Sequence, residues 1–251
     1  MIRQFALAVL LSAPFPALAA SCEQSVHRTV LETRKAGRTV MFTLSSTPGP
    51  AAADRYESEH LDWVRANTSL NARQILVNHD TILRDAFNRA QEGSAWRASL
   101  AQSIRNNERI LSGAIGRFRA PACMDQIAFR EFLQLVDLRE SPQEFLASIY
   151  SRGTARVMIA DFDDKPGDAI GVGPSARLRA ESARLQQEGW TYQVHLHNHP
   201  FVFDSPYGDI GPIAPSAPDI RAYKSTAPRA AWITNGVEVF EVDRDGYQQL
   251  E

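Results

Sequence analysis

Apolar residues alternate with polar ones in several stretches of this chain and recur at helical spacing in most of the rest, and this change of period divides the sequence into elements. From Cys22 to about Gly37, Val26, Val30 and Leu31 sit among charges at the spacing of a short amphipathic helix, and "RTVMFTL" (38–44) then reads as a strand. "SSTPGPAAA" (45–53) breaks the chain. Between 54 and 118 the apolar positions Leu61, Val64, Ile82, Leu83, Phe87, Leu100, Ile104, Leu111 and Ile115 predict two or three helices.

After "RAPAC" the character changes. "MDQIAFREFLQLVDL" (124–138) is one more amphipathic helix, and "EFLASIYS" and "ARVMIADFDD" alternate as neighbouring strands joined through "RGT". "PSARLRAESARLQQEG" predicts a polar helix closed by Gly189, and "APSAPDIRAYKS" begins another. "AAWIT-NG-VEVFEV" predicts a hairpin whose Asn235-Gly236 pair supplies two positive φ angles. The expected fold class is therefore α/β (α+β): a mainly helical N-terminal region over 21–123, then a mixed-sheet domain with flanking helices over 124–251.

Composition adds little to the fold and more to the setting. Hydrophobic residues at 44% and charged ones at 22% are ordinary for a globular chain, and a formal charge of -2 gives no footprint for nucleic acid. "MIRQFALAVLLSAPFPALAA" (1–20) reads as a cleaved signal peptide, with Arg3, a short apolar run and a small-residue end, so a periplasmic or secreted protein is expected. No later stretch approaches the ~20 apolar residues of a membrane span. The chain's 2 cysteines, Cys22 and Cys123, are expected to pair in an oxidising compartment, with lipid anchoring at Cys22 as the lesser alternative.

The candidate chemistry sits in "TYQVHLHNHP" (191–200). In a strand, His195, His197 and His199 share one face while Val194, Leu196 and Asn198 take the other. Imidazole is the commonest metal ligand, and neighbouring histidines along a strand can converge on one ion. Downstream, Ser216-Ala-Pro-Asp219 has the spacing of a capping box, and helix chemistry alone explains it. A carboxylate held there could also complete a His, His, Asp ligand set with a fourth zinc position open to water.

"HNHP" (His197 to Pro200) followed by "PSAPD" (Pro215 to Asp219) resembles the JAMM (MPN+) zinc metalloprotease signature H-x-H-P…S-x-x-D, and its wording is similar to the RadC-like branch. The resemblance covers the C-terminal half alone. It implies that His197, His199 and Asp219 bind one Zn2+, that Ser216 helps hold the oxyanion, and that a glutamate on the first strand carries the proton. Glu144 in "QEFLASIYS" occupies that place, with Glu140 and Glu131 as rivals and Ala147 where the family often has Gly. The implied activity is hydrolysis of peptide or isopeptide-like amide bonds.

Two features depart from the pattern. Residues 201–215 make the spacing between Pro200 and Ser216 longer than the family's, and their Phe201, Phe203 and Tyr207 suggest a substrate-contacting loop. His195 has no counterpart among the ligands and reads as a core histidine. The competing functions are a three-histidine zinc lyase or hydratase site, with Asp219 only a helix cap, and an inactive MPN-like scaffold that binds a partner. His27, His60 and His79 stand isolated and read as structural or exposed. A cupin reading fails because no glutamate lies between Glu188 and Glu238.

Overall fold

A computed structural model of the chain describes residues 26–34, 37–44, 59–140, 142–163, 175–201 and 211–251. The signal-peptide stretch 1–20, Cys22, Phe203 and Tyr207 lie outside them. Among the described residues one mixed sheet of eight strands runs in the order β1-β2-β5-β4-β6-β7-β8-β3. Its strands are β1 (Val26–Arg34), β2 (Gly37–Leu44), β3 (Arg117–Arg119), β4 (Leu146–Arg152), β5 (Ala155–Asp163), β6 (Thr191–Asn198), β7 (Ala230–Thr234) and β8 (Val239–Asp243). Every neighbouring pair is antiparallel except β6 and β7, which are parallel and joined by a helical crossover. The chain is thus of the α/β class with flanking helices.

The helix expected over Cys22–Gly37 is corrected by β1, a strand that pairs with β2 from Val26↔Leu44 to Arg34↔Gly37. Val26 and Val30 are four apart, which suits a helix, but the segment is rich in β-branched Val and Thr, and β2 offers it an unpaired ladder. β2 in turn pairs with β5 over its whole length. Strands from before and after residue 124 therefore belong to one sheet, and the helical character of 21–123 is confined to its middle. There α1 (Glu59–Asn67), α2 (Ala72–Arg89) and α3 (Ala95–Leu111) form where the helical spacing predicts helices.

The two sheet faces are covered differently. α4 (Cys123–Leu133) packs Phe129 and Phe132 against Phe42, Phe145, Phe162, Val194 and Leu196 on one face. On the other, α5 (Ala176–Gln187) covers Tyr150, Val157 and Ile159. Beside it α6 (Ala217–Thr226) and α7 (Arg244–Gln249) cover Ile233, Phe240 and Val242, with Leu76 of α2 and Ile110 of α3 in the same cluster. The N-terminal helices thus lie against the histidine face of the sheet. Cys123 is disulfide-bonded at the start of α4. No helix among the described residues is long and apolar enough to cross a membrane.

The β7–β8 hairpin forms, with a looser turn than Asn-Gly predicts. Thr234 pairs with Val239, so four residues make the loop, and Gly236 alone among them has positive φ, at 86°. The Asn235 Oδ1 accepts from the Val237 and Glu238 amides at 3.0 and 2.9 Å, an Asx-type closure that removes the need for a second positive φ.

Candidate metal centre

The site forms where the parallel strands β6 and β7 end and α6 begins. Side-chain alternation sends Val194, Leu196 and Asn198 toward α4 and His195 and His197 to the opposite face. His199 extends this order past the strand end, its amide donating to the Thr234 carbonyl at 2.9 Å. The crevice outside the carboxyl ends of parallel strands is the usual place for a ligand site in such sheets.

The Nε2 atoms of His197 and His199 stand 3.1 Å apart. The Asp219 Oδ1 is 3.4 Å from the His197 Nε2, and the Asp219 Oδ2 is 3.5 Å from the His199 Nε2. These three residues form the one group of metal-ligating side chains among the described residues. His197 and Asp219 are each 1% exposed, and His199 13%. The Pro212 carbonyl, which can only accept, lies 2.8 Å from the His199 Nδ1. That contact holds a ring proton on Nδ1, so Nε2 is the atom that faces the cluster and that would give up its proton to a metal ion.

Asp219 owes its placement to helix capping. Ser216 is the N-cap of α6, and its amide and hydroxyl both donate to the Asp219 Oδ2, at 2.7 and 2.6 Å. The cap and the ligand readings of Ser216-Asp219 are therefore compatible: Oδ2 serves the helix while Oδ1 faces His197. Burial alone would raise the Asp219 carboxyl, but the His197 and His199 imidazoles outweigh it and hold the group far below the usual carboxylate range. Burial would likewise lower His199, yet its contacts with Asp219, Glu144 and the Pro212 carbonyl push it up to about 9. Two imidazoles this close with a buried carboxylate between them make a donor set suited to a metal ion. The His197 Nδ1 is buried with no hydrogen-bond partner among the described residues, as is the hydroxyl of Tyr223, whose ring centroid lies 6.1 Å from that of His197.

The structure brings one of the three candidate acids to the cluster. The Glu144 Oε1 is 3.9 Å from the His199 Nε2, just ahead of β4, with its side chain 23% exposed. Glu131 lies on the opposite sheet face, on α4, paired with Arg28 at 2.6 Å and with Arg38. Glu140 is exposed on the turn after α4. Phe201, expected in a substrate loop, is corrected to a core position: it is 2% exposed and packs with Val64 and Ile75. Gly211 lies so close that a Cβ there would sit 2.7 Å from the Phe201 ring.

His195 stays outside the ligand group. Its Nδ1 is 3.2 Å from the Tyr192 hydroxyl, its ring meets Tyr223 edge-on at 5.1 Å, and burial lowers it to about 3. A three-histidine site is not what the described residues assemble. His27 is exposed, and the side chain of His60 is not among those described.

His79 reads as isolated in the sequence, and on α2 it is half-buried and within electrostatic reach of His199. Burial lowers it to about 4, with repulsion from His199 second, and its Nδ1 is buried without a partner among the described residues. The signal was present in the pattern: Ala72, Ile75 and Leu76 are buried, and position 79 continues their stripe. What the sequence alone could not show was which surface that stripe would meet.

Comparisons with protein-family models, with curated proteins and with solved structures find no match to this chain.

Proposed function

We propose that the chain is an exported zinc-dependent hydrolase of peptide or isopeptide-like amide bonds, with a JAMM-type centre built from His197, His199 and Asp219. The observation that carries this reading is the convergence of two imidazole Nε2 atoms and a buried carboxylate, with the Glu144 carboxylate 3.9 Å from one of those nitrogens. A zinc ion held there would polarise the scissile carbonyl and bring the pKa of bound water down toward ~7. The protein's own residues divide the remaining work. His199 is oriented by its Nδ1 contact with Pro212, and Asp219 by the amide and hydroxyl of Ser216. Glu144, partly exposed beside His199, takes a proton from the attacking water and returns it to the leaving amine nitrogen.

The purified protein should carry one zinc per chain by elemental analysis, and the combined His197→Ala and His199→Ala substitutions should remove it. Stoichiometric zinc in that double variant would place the metal elsewhere and end this reading. A wild-type chain that folds but takes up no zinc from buffered micromolar solution would favour the partner-binding scaffold instead.

A further inference from the structure

The strand that carries His197 also carries a residue that touches the segment of the candidate proton carrier. The ladder between β4 and β6 ends at the pair Leu146↔His197. Beyond it, Gln143, Glu144 and Phe145 lie ahead of β4, past the last register pair of that ladder. Asn198, the residue between the two histidines, reaches that segment from the other face of the sheet. Its side chain is fully buried. The Asn198 Oδ1 accepts from the Phe145 amide at 2.7 Å, and the Asn198 Nδ2 donates to the Gln143 carbonyl at 2.9 Å.

These two backbone groups flank Glu144 on either side. One edge of a carboxamide presents a donor beside an acceptor in a single plane, so it imitates the peptide edge that the ladder lacks. The reverse orientation would set NH2 against N–H and oxygen against oxygen, which fixes the amide's direction. Phe145 anchors the same segment from below, its ring 5.4 Å from Phe132 and 5.7 Å from Phe162. With Gln143 and Phe145 both held, the Glu144 side chain has one way out, toward the histidine face, because neighbouring residues of an extended chain alternate.

We propose that Asn198 is the positioning residue for Glu144: its carboxamide clamps the backbone on both sides of that glutamate and sets its carboxylate against His199. The inference rests on Glu144 being the proton carrier of the proposed hydrolase. The short sequence His-Asn-His then holds two functions at the end of β6, with metal ligands on one face and the clamp for the base on the other. Aspartate at 198 keeps the acceptor and loses the donor, while alanine loses both.

Amide hydrogen exchange followed by NMR tests the clamp without any substrate. The Phe145 amide of the wild-type protein should exchange as slowly as the ladder amides of β4, and the Asn198 side-chain protons should also be slow. In Asn198→Ala the Phe145 amide should lose protection by about 10- to 100-fold while Ile149 keeps its own. Asn198→Asp keeps the acceptor but sets an oxygen against the Gln143 carbonyl, so its Phe145 protection should fall as well. Fast exchange of the Asn198 carboxamide in the wild type, a measurement that needs no variant, would overturn the clamp.

A second arm reads positioning. With an internally quenched peptide mixture of random sequence, Asn198→Ala should lower kcat by about 10-fold or more with KM and zinc content unchanged, and should cost nothing further once Glu144→Gln is present. An equal loss in both backgrounds would show that Asn198 acts through something other than Glu144. Wild-type protein that binds zinc yet cleaves no peptide in the mixture would count against the hydrolase reading, and the exchange rates would then decide the clamp by themselves.

Discussion

Replacing Asp219 by asparagine separates the two roles that share this side chain. In the folded protein the carboxylate is 1% exposed, its Oδ2 accepts from the Ser216 amide and hydroxyl, and both histidine Nε2 atoms lie within 3.5 Å. Asparagine keeps an oxygen for the cap but not the charge that faces His199, so without metal the cost at neutral pH should exceed the ~1 kcal/mol of a lost helix cap. With metal the balance differs. Loss of a group outside the ligand shell already weakens metal sites by about 10- to 100-fold, so loss of an anionic ligand should reach at least the upper end. With free zinc set at a hundred times the wild-type Kd, binding adds about 2.7 kcal/mol to wild-type stability. A site weakened a hundred-fold would be half filled and keep about 0.4 kcal/mol. At about 2–4 °C per kcal/mol for a chain of this size, zinc should raise the wild-type Tm by roughly 5–10 °C and that of Asp219→Asn by about 1 °C. Differential scanning calorimetry in buffered zinc and in chelator supplies all four values. If the zinc-dependent rise survives in full, Asp219 is a helix cap only and the metal is held by other ligands.

Two further perturbations address the parts of the structure that pattern reading placed elsewhere. Phe201→Ala should cost about 3–5 kcal/mol in urea unfolding, with zinc stoichiometry unchanged; an unaltered unfolding midpoint with a raised KM would return Phe201 to a substrate loop. His79 gives a pH dependence of known sign. Its folded-state value near 4 lies below the ordinary 6.5, so the unfolded chain binds the proton more readily. Its contribution is fully present above about 6.5 and is lost as pH falls toward 4, by up to ~3 kcal/mol. In metal-free protein, His79→Gln should flatten the fall in stability over that window, and parallel curves for the two proteins would show that His79 is not held neutral by burial.

Much of this molecule was legible in one dimension because its decisive patterns are local. Alternation fixes which face each residue of β6 takes, so His195, Val194 and their neighbours could be assigned to faces before any fold was known. Ser216 and Asp219 three residues apart define a helix start whatever the helix packs against, and the helical stripes of α2 and α3 follow from spacing alone. Other outcomes depended on partners far along the chain. Cys22–Gly37 has valines at helical spacing, and only the open edge of β2 turns Val26–Arg34 into a strand. Glu131 and Glu144 look alike as candidate acids, and they differ because α4 carries one to Arg28 and Arg38 on one sheet face while the lead into β4 brings the other to His199 on the opposite face. Phe201 reads as a loop aromatic until Val64 and Ile75 close over it. The residue types and their periods set the ligands, the cap and the strand faces; which surfaces meet, and so which histidine and which glutamate join the cluster, was decided by burial against elements tens to more than a hundred residues away.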